Sequence, residues 1–359
     1  MALAISVLDL APVPSGGSAA ESVRRCVELA RMAERLGYVR CWYAEHHGMP
    51  SVASSSPEVL IASVAAQTRT LHLGAGGVML PNHAPLRIAE AFRTLAALYP
   101  GRIDLGLGRA PGADPRTSQV LRAVDGEHFP ALVSELLIWG GEKRLPADHP
   151  LYSLQAMPVD APLPPIWLLG SSGASARMAG EAGMGYSFAS HFSAAPAKPA
   201  FDAYRAAFKP SKAFAAPHAI LGVSVICAPT PDEAEWLASG MELAWVRLRS
   251  GILATLPSPE EAAGYAYTEA ERRLVRGFRE LVVVGTPETV RRELQERADT
   301  CDASELMIVC NLHSHAARLR SHELIAQALI GSHLRQARAA RAARPCVTFI
   351  EPASCRPER

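Results

Sequence analysis

The chain has 359 residues, 49% hydrophobic and 20% charged, which supports one large barrel or two smaller domains with a substantial core. A formal net charge of +1, with no basic run interleaved with aromatics, argues against a nucleic-acid partner. No apolar run approaches the roughly 20 residues that span a bilayer, the start lacks the basic segment of a secretory signal, and seven cysteines without a C-x-x-C pair signal neither a disulfide framework nor a zinc knuckle, so a cytoplasmic protein with no membrane partner is expected.

Taken in chain order, the first apolar run, 3–9, reads as a strand. The helix after it has a Ser18-x-x-Glu21 capping box, an inward stripe of Val23, Val27, Ala30 and Met32 or Ala33, and Gly37 as its stop. A strand at 39–44 runs into Glu45-His46-His47, and a helix at 57–67 follows. Next come a strand at 71–79 carrying Gly76-Gly77, a helix at 85–98, a strand at 102–108 ending in Gly106-x-Gly108-Arg109, and a helix at 126–139. The proline-rich stretch 140–164 has no period and reads as irregular. Beyond it lie strands at 165–169, 184–189, 219–227 and 305–310, with helices at 173–182, 196–207, 231–247, 286–299 and 314–330. The stretch 248–280, with five Gly or Pro residues, reads as a long loop of the kind that forms lids.

Eight strands alternating with helices predict an α/β fold, a (β/α)8 TIM barrel over 1–330, with the extra helix as an insertion after strand seven. Residues 331–359 form an Arg-rich C-terminal tail, in which Arg335, Arg338, Arg341 and Arg344 share one helical side that reads as a solvated face.

In such a barrel the strand C-termini converge on one face. Asp9, Glu45, His46, His47, Gly76, Gly77, Arg109, Ser171, Ser172 and His191 are expected there, a set able to bind an anion and move protons. If the strand persists, His46 and His47 point to opposite sides, so only one faces the mouth. Arg109 can grip a phosphate in a bidentate way or simply pair with a carboxylate to hold its turn. The run Gly170 to Ser175 can present hydroxyls and N–H groups to the same phosphate or serve only as a helix cap. Neither glycine segment matches the G-x-G-x-x-G fingerprint of a nicotinamide domain, and the P-loop, the G-x-S-x-G elbow and H-E-x-x-H are missing. His313-x-His315 is the one pattern that suggests a divalent metal.

Together, Glu45-His46-His47, the stretch Gly74 to Pro85 and the stretch Gly101 to Arg109 resemble the bacterial luciferase-like flavin monooxygenases, over residues 1–330. The resemblance implies reduced FMN (FMNH2) as co-substrate and molecular oxygen as oxidant, captured as a C4a-hydroperoxyflavin that oxygenates a small-molecule substrate. It also implies a separate NAD(P)H:flavin reductase and a homodimer joined through the second and third helices. His46 then matches the family's catalytic histidine, with Glu45 beside it as a second catalytic candidate, and Arg109 matches the arginine on the FMN phosphate. Ser172 and Ser175 match its phosphate contacts, with Ser171 in the same segment. Gly76-Gly77 falls where the family has a non-prolyl cis peptide beside the flavin ring. Luciferases carry a reactive cysteine where this chain has Gly108, which points away from light emission and toward the branch that tailors natural products such as aromatic polyketides, including antibiotic biosynthesis. The rival readings are a deazaflavin (F420)-dependent oxidoreductase, a non-catalytic flavin-binding protein, and a metallohydrolase built on His313 and His315.

Overall fold

The computed structural model describes the backbone of residues 3–342 and the side chains of residues 3–331. Among these residues nine strands form one sheet: β1 (Ala4–Asp9), β2 (Arg40–Tyr43), β3 (His72–Met79), β4 (Ile103–Gly108), β5 (Ile166–Gly170), β6 (Gly185–Phe188), β7 (Ala219–Cys227), β8 (Val282–Gly285) and β9 (Glu305–Val309). All neighbours are parallel, in the order β6-β5-β4-β3-β2-β1-β9-β7-β8, and a β6–β7 pairing closes eight of them into a barrel. The eight predicted strands are those eight. The ninth, β8, pairs only with the second half of β7, from Ser224 to Cys227; a run of three valines and a glycine is too short to announce itself as a strand.

Among the described residues twelve α-helices cover the barrel: α1 (Ala19–Leu36), α2 (Pro57–Ala65), α3 (Pro85–Leu98), α4 (Pro115–Val120), α5 (Phe129–Trp139), α6 (Gly173–Glu181), α7 (Ala197–Ala207), α8 (Pro231–Arg249), α9 (Pro259–Ala263), α10 (Glu269–Leu281), α11 (Pro287–Cys301) and α12 (His315–Ala342). In α1, Gly37 takes φ 87° and ends the helix as expected, but the capping box does not form: Ser18 makes no side-chain cap bond and Glu21 pairs with Arg25 instead. The buried face is Ser22, Cys26, Leu29, Ala30, Met32 and Ala33, so Ala30, Met32 and Ala33 of the expected stripe face the core while Val23 and Val27 are only half buried. Ser22 can enter the core because its hydroxyl donates to the carbonyls of Pro12 and Ser18, so burial leaves no polar group unpaired.

One further expectation needs correction. The stretch 248–280 is not one loop, because it contains α9 and most of α10, and a capping box does form here, with Thr268 and Glu271 bonding reciprocally. Its charged, Gly-containing sequence hid a helix whose inner face holds Phe278 and Leu281. The stretch 140–164 is irregular as read. At the far end, α12 passes Gly331 through a non-helical φ of 64° and runs on to Ala342; Arg344 and the side chains of Arg335, Arg338 and Arg341 lie outside the described residues.

The N-terminal end of the barrel is plugged by charge. Arg40 on β2 donates to Asp104 on β4 (2.7 Å) and to Glu305 on β9 (2.8 Å), while the indoles of Trp42 and Trp167 donate to Asp104 at 3.0 and 3.3 Å. Burial pushes the Glu305 carboxyl up, but Arg40 and the His218 ring outweigh it and hold it at about 2. With every member paired, this plug closes one end of the barrel and leaves only the C-terminal end open to a ligand.

Candidate functional site

A cavity of about 1070 Å³ opens at the C-terminal ends of the strands. Its floor and walls are mostly apolar, with Leu8, Trp42, Met307 and Val309 rising from the barrel interior. Of the residues expected at this face, His46, Gly76, Arg109, Ser171, Ser172, Ser175 and His191 line it.

Asp9 does not. Alternation along β1 turns it to the helix layer, where it is fully buried, accepts the Ala11 N–H (2.7 Å) and pairs with Arg318 of α12 at 2.6 Å. It locks the last helix onto the barrel.

His46 and His47 part as the strand geometry demands. The Nδ1 of His46 lies 3.2 Å from the Gly112 carbonyl, which can only accept, so the neutral ring carries its proton on Nδ1 and offers Nε2 as a base. Burial lowers the His46 pKa more than the Gly112 bond and the Glu45 charge raise it, and the neutral form is favoured. His47 turns to Glu45 at 2.9 Å.

Glu45, expected as a catalytic partner, does not line the cavity and is 1% exposed. Its carboxylate accepts from four donors: His47, His83 (2.8 Å), the Met79 N–H (2.9 Å) and Asn82 (3.3 Å). Burial raises its pKa, but the bonds and charge of His83, with His47 and Met79, prevail and keep it below the usual carboxylate value. Asn82 also donates to the Pro111 carbonyl at 2.9 Å, next to the Gly112 that holds His46. Glu45 therefore sets the loop after β4 rather than meeting a ligand.

The Gly76-Gly77 peptide bond is cis. Gly76 lines the cavity, and a Cβ there would come within 2.7 Å of Leu8, whereas Gly77 packs on β4, where a Cβ would meet the Gly106 carbonyl at 2.9 Å.

At one edge of the cavity Arg109 is exposed and makes no hydrogen bond or ion pair among the described residues. A structural ion pair for the turn is thus not what it provides. Close by, the N-terminus of α6 opens into the cavity: Ser172 is its N-cap without a side-chain cap bond, and Ser175 Oγ donates to the Ser172 carbonyl (2.9 Å). Tyr186 on β6, which nothing in the sequence singled out, braces this turn by donating to the same carbonyl at 3.1 Å. An unpaired guanidinium and a helix N-terminus that line the same apolar chamber fit a flat ligand that carries a phosphate.

The outer wall is drawn largely from the stretch read as a lid, 248–280, which contributes Leu248, Ile252, Leu253 and Phe278; Trp245 of α8, just before that stretch, was not singled out. The sequence reading also missed Asn311, two residues past β9, although alternation from Met307 and Val309 would have placed it at the mouth. Arg247 lines the cavity too but is engaged by Glu261 at 2.7 Å. His313 and His315 diverge, one to Ser15 and the other to Glu28, and no group of three metal-ligating side chains converges among the described residues.

The luciferase-like monooxygenase family profile matches residues 3–303. A protein of Escherichia coli (strain K12) bearing that family's name is 44% identical over 325 residues, which cover 90% of this chain and 96% of that protein. The N-acetyl-S-alkylcysteine monooxygenase of Bacillus subtilis (strain 168) is 32% identical over 336 residues, covering 91% of this chain and 98% of that one. The crystal structure of apo-MsnO8 superposes with a TM-score of 0.81 at 35% identity, over 92% of this chain and 99% of the other. By profile, sequence and fold, the chain belongs to the luciferase-like monooxygenase family and is a flavin-dependent monooxygenase.

Proposed function

We propose that the chain is the oxygenase of a two-component system, taking reduced FMN from a separate NAD(P)H:flavin reductase and oxygenating a small organic substrate. The observation that carries this reading is Arg109, unpaired among the described residues and lining the same cavity as the N-terminus of α6. Reduced FMN, when bound, supplies the electron pair with which one atom of molecular oxygen goes to water and the other to the substrate.

The protein's part is to bind, orient and keep dry. Arg109, the hydroxyls of Ser171, Ser172 and Ser175, and the first N–H groups of α6 hold the phosphate. Gly76, bare of a side chain, leaves room for the ring against Leu8 and Trp42. His46 takes up or returns a proton at Nε2. The apolar side chains of Leu248, Ile252 and Leu253 exclude water from the reacting end. A homodimer is part of the same reading, supported by Val59 on α2 and Leu98 on α3, which stand 64% and 61% exposed. So is work on natural products, which the apolar chamber suits. The cytoplasmic setting belongs with it, since the reductase's nicotinamide is found there; among the described residues no helix is long and apolar enough to cross a membrane.

Adding the components one at a time tests the reading. The chain alone should not oxidise NADH, and turnover should need both FMN and a flavin reductase. Rapid NADH oxidation by the chain alone, or tighter binding of a reduced deazaflavin than of reduced FMN in anaerobic titrations, would sink it.

A further inference from the structure

Methionines are gathered at the cavity: of the eight whose side chains are described, Met49, Met79, Met178, Met241 and Met307 line it. Met307 is buried in the floor, and the other four are partly exposed. A thioether is apolar enough for such a wall, but its sulfur is a soft electron-pair donor that takes up oxygen. Met79 is the one whose sulfur the fold places most closely. It ends β3, three residues beyond Gly76, and its N–H donates to the buried Glu45 carboxylate at 2.9 Å. A Cβ on Gly108 would stand 2.8 Å from the Met79 sulfur, and a Cβ on Gly112 3.6 Å, so the sulfur fills the slot that two absent side chains leave. The Gly112 carbonyl is also the partner of His46 Nδ1. An oxidisable sulfur and the imidazole proposed to move protons are thus packed against the same residue, and both line the cavity.

We infer that Met79 is a self-oxygenation site: when no substrate fills the cavity, its thioether is oxygenated in the substrate's place and becomes the sulfoxide. In that step the sulfur gives an electron pair to one atom of molecular oxygen, and the S–O bond forms as the O–O bond breaks. The second oxygen atom leaves as water, with two electrons and two protons from reduced FMN. The product replaces an apolar sulfur by a polar, chiral group beside Gly112. The hold of Gly112 on His46 changes with it, so the enzyme limits its own idle consumption of reduced flavin. Methionine sulfoxide reductase reverses the modification.

The assignment rests on the flavin reading, and its test separates the two. The full chain is loaded with photoreduced FMN, mixed with oxygen over repeated cycles without substrate and with catalase present, and digested for peptide mass spectrometry. Met157, which is 57% exposed and does not line the cavity, serves as the reference. Met79 should gain one oxygen atom at least about fivefold faster than Met157, because the reacting groups are held together. Isotopically heavy molecular oxygen should leave its label in that sulfoxide, and flavin-free chain in the same buffer should gain none. The rate at which oxygen reoxidises the bound flavin should fall as the sulfoxide accumulates, recover with methionine sulfoxide reductase, and hold steady in Met79→Leu. Equal oxidation of Met79 and Met157, a sulfoxide that appears only when catalase is left out, modification of another cavity methionine instead, or a decline that persists in Met79→Leu would overturn the assignment. If reduced FMN binds and is reoxidised while Met79 stays unmodified, the assignment falls and the flavin reading stands; if reduced FMN does not bind, both fall.

Discussion

Arg109 and His46 do different work at the two ends of the proposed flavin site, and single substitutions should separate them. Removing the guanidinium in Arg109→Ala should weaken reduced FMN by about 1.5 to 3 kcal/mol, the size of a charge-assisted contact, with little effect on folding because the side chain is exposed. An anaerobic fluorescence titration measures this directly. His46→Gln should leave that affinity intact and instead alter the rate at which oxygen reoxidises the bound flavin, followed by stopped-flow absorbance. Burial lowers the His46 pKa beneath its ordinary 6.5, so the acid limb of that rate's pH profile should fall below pH 6.5 and be lost in His46→Gln. A limb unchanged by the substitution would assign the proton step to another group.

The segments around the site are held by close approaches and by one carboxylate. Gly106 on β4 admits no side chain, as a Cβ would stand 2.1 Å from the Ala75 carbonyl on β3. Gly106→Ala must push the two strands apart and should cost about 1 to 3 kcal/mol or more, read as a lower urea midpoint. Glu45 binds the end of β2 to the end of β3 and to the turn after it. Glu45→Ala leaves His47, His83 and the Met79 N–H without their acceptor and should cost about 3 kcal/mol. It should also bring the pKa of His83 down: burial lowers that group, and its bond and charge to Glu45, with a smaller share from the Glu58 charge, raise it above 6.5. The loop between α8 and α9 lines the cavity without regular structure of its own. Protease cleavage at 250–256 should therefore slow when reduced FMN is present without oxygen; equal rates would make the loop a passive wall.

For the molecule as a whole, buried histidines tie stability to pH. Burial, with a smaller contribution from neighbouring positive charge, depresses His191 to about 4 and His322 to about 3. Their unfolded values near 6.5 mean that, from about pH 6.5 down to about pH 4, the unfolded chain takes up protons that the native chain refuses. The stabilisation is full above pH 6.5 and is lost as the solution is acidified, by roughly 1.4 kcal/mol per pH unit for each proton. His83, raised by Glu45, works the other way: its share is full below pH 6.5 and fades as pH climbs through its native value. Urea midpoints between pH 7 and pH 4 should thus fall, and His322→Leu should flatten the slope by about one proton. An unchanged slope would mean that His322 is protonated in the native state.

By itself the sequence determined the barrel and most of the inner site. The eight barrel strands were legible because parallel strands buried on both faces read as continuous apolar runs, and their helices because one face repeats every three or four residues. His46, Arg109 and the serines of 171–175 were legible for a related reason, since each lies just past the end of such a run, and Gly76 was legible through the glycine-rich stretch from Gly74. What the tertiary structure decided is where side chains go when alternation and periodicity are silent. It turned Asp9 outward to Arg318 and drew Glu45 away from the cavity to four donors. It also folded α10 and β8 out of a stretch too polar or too short to show a period, and brought Phe278, Trp245 and Asn311 to the cavity from distant parts of the chain. Those placements depend on contacts between residues far apart in sequence, and local pattern carries no information about them.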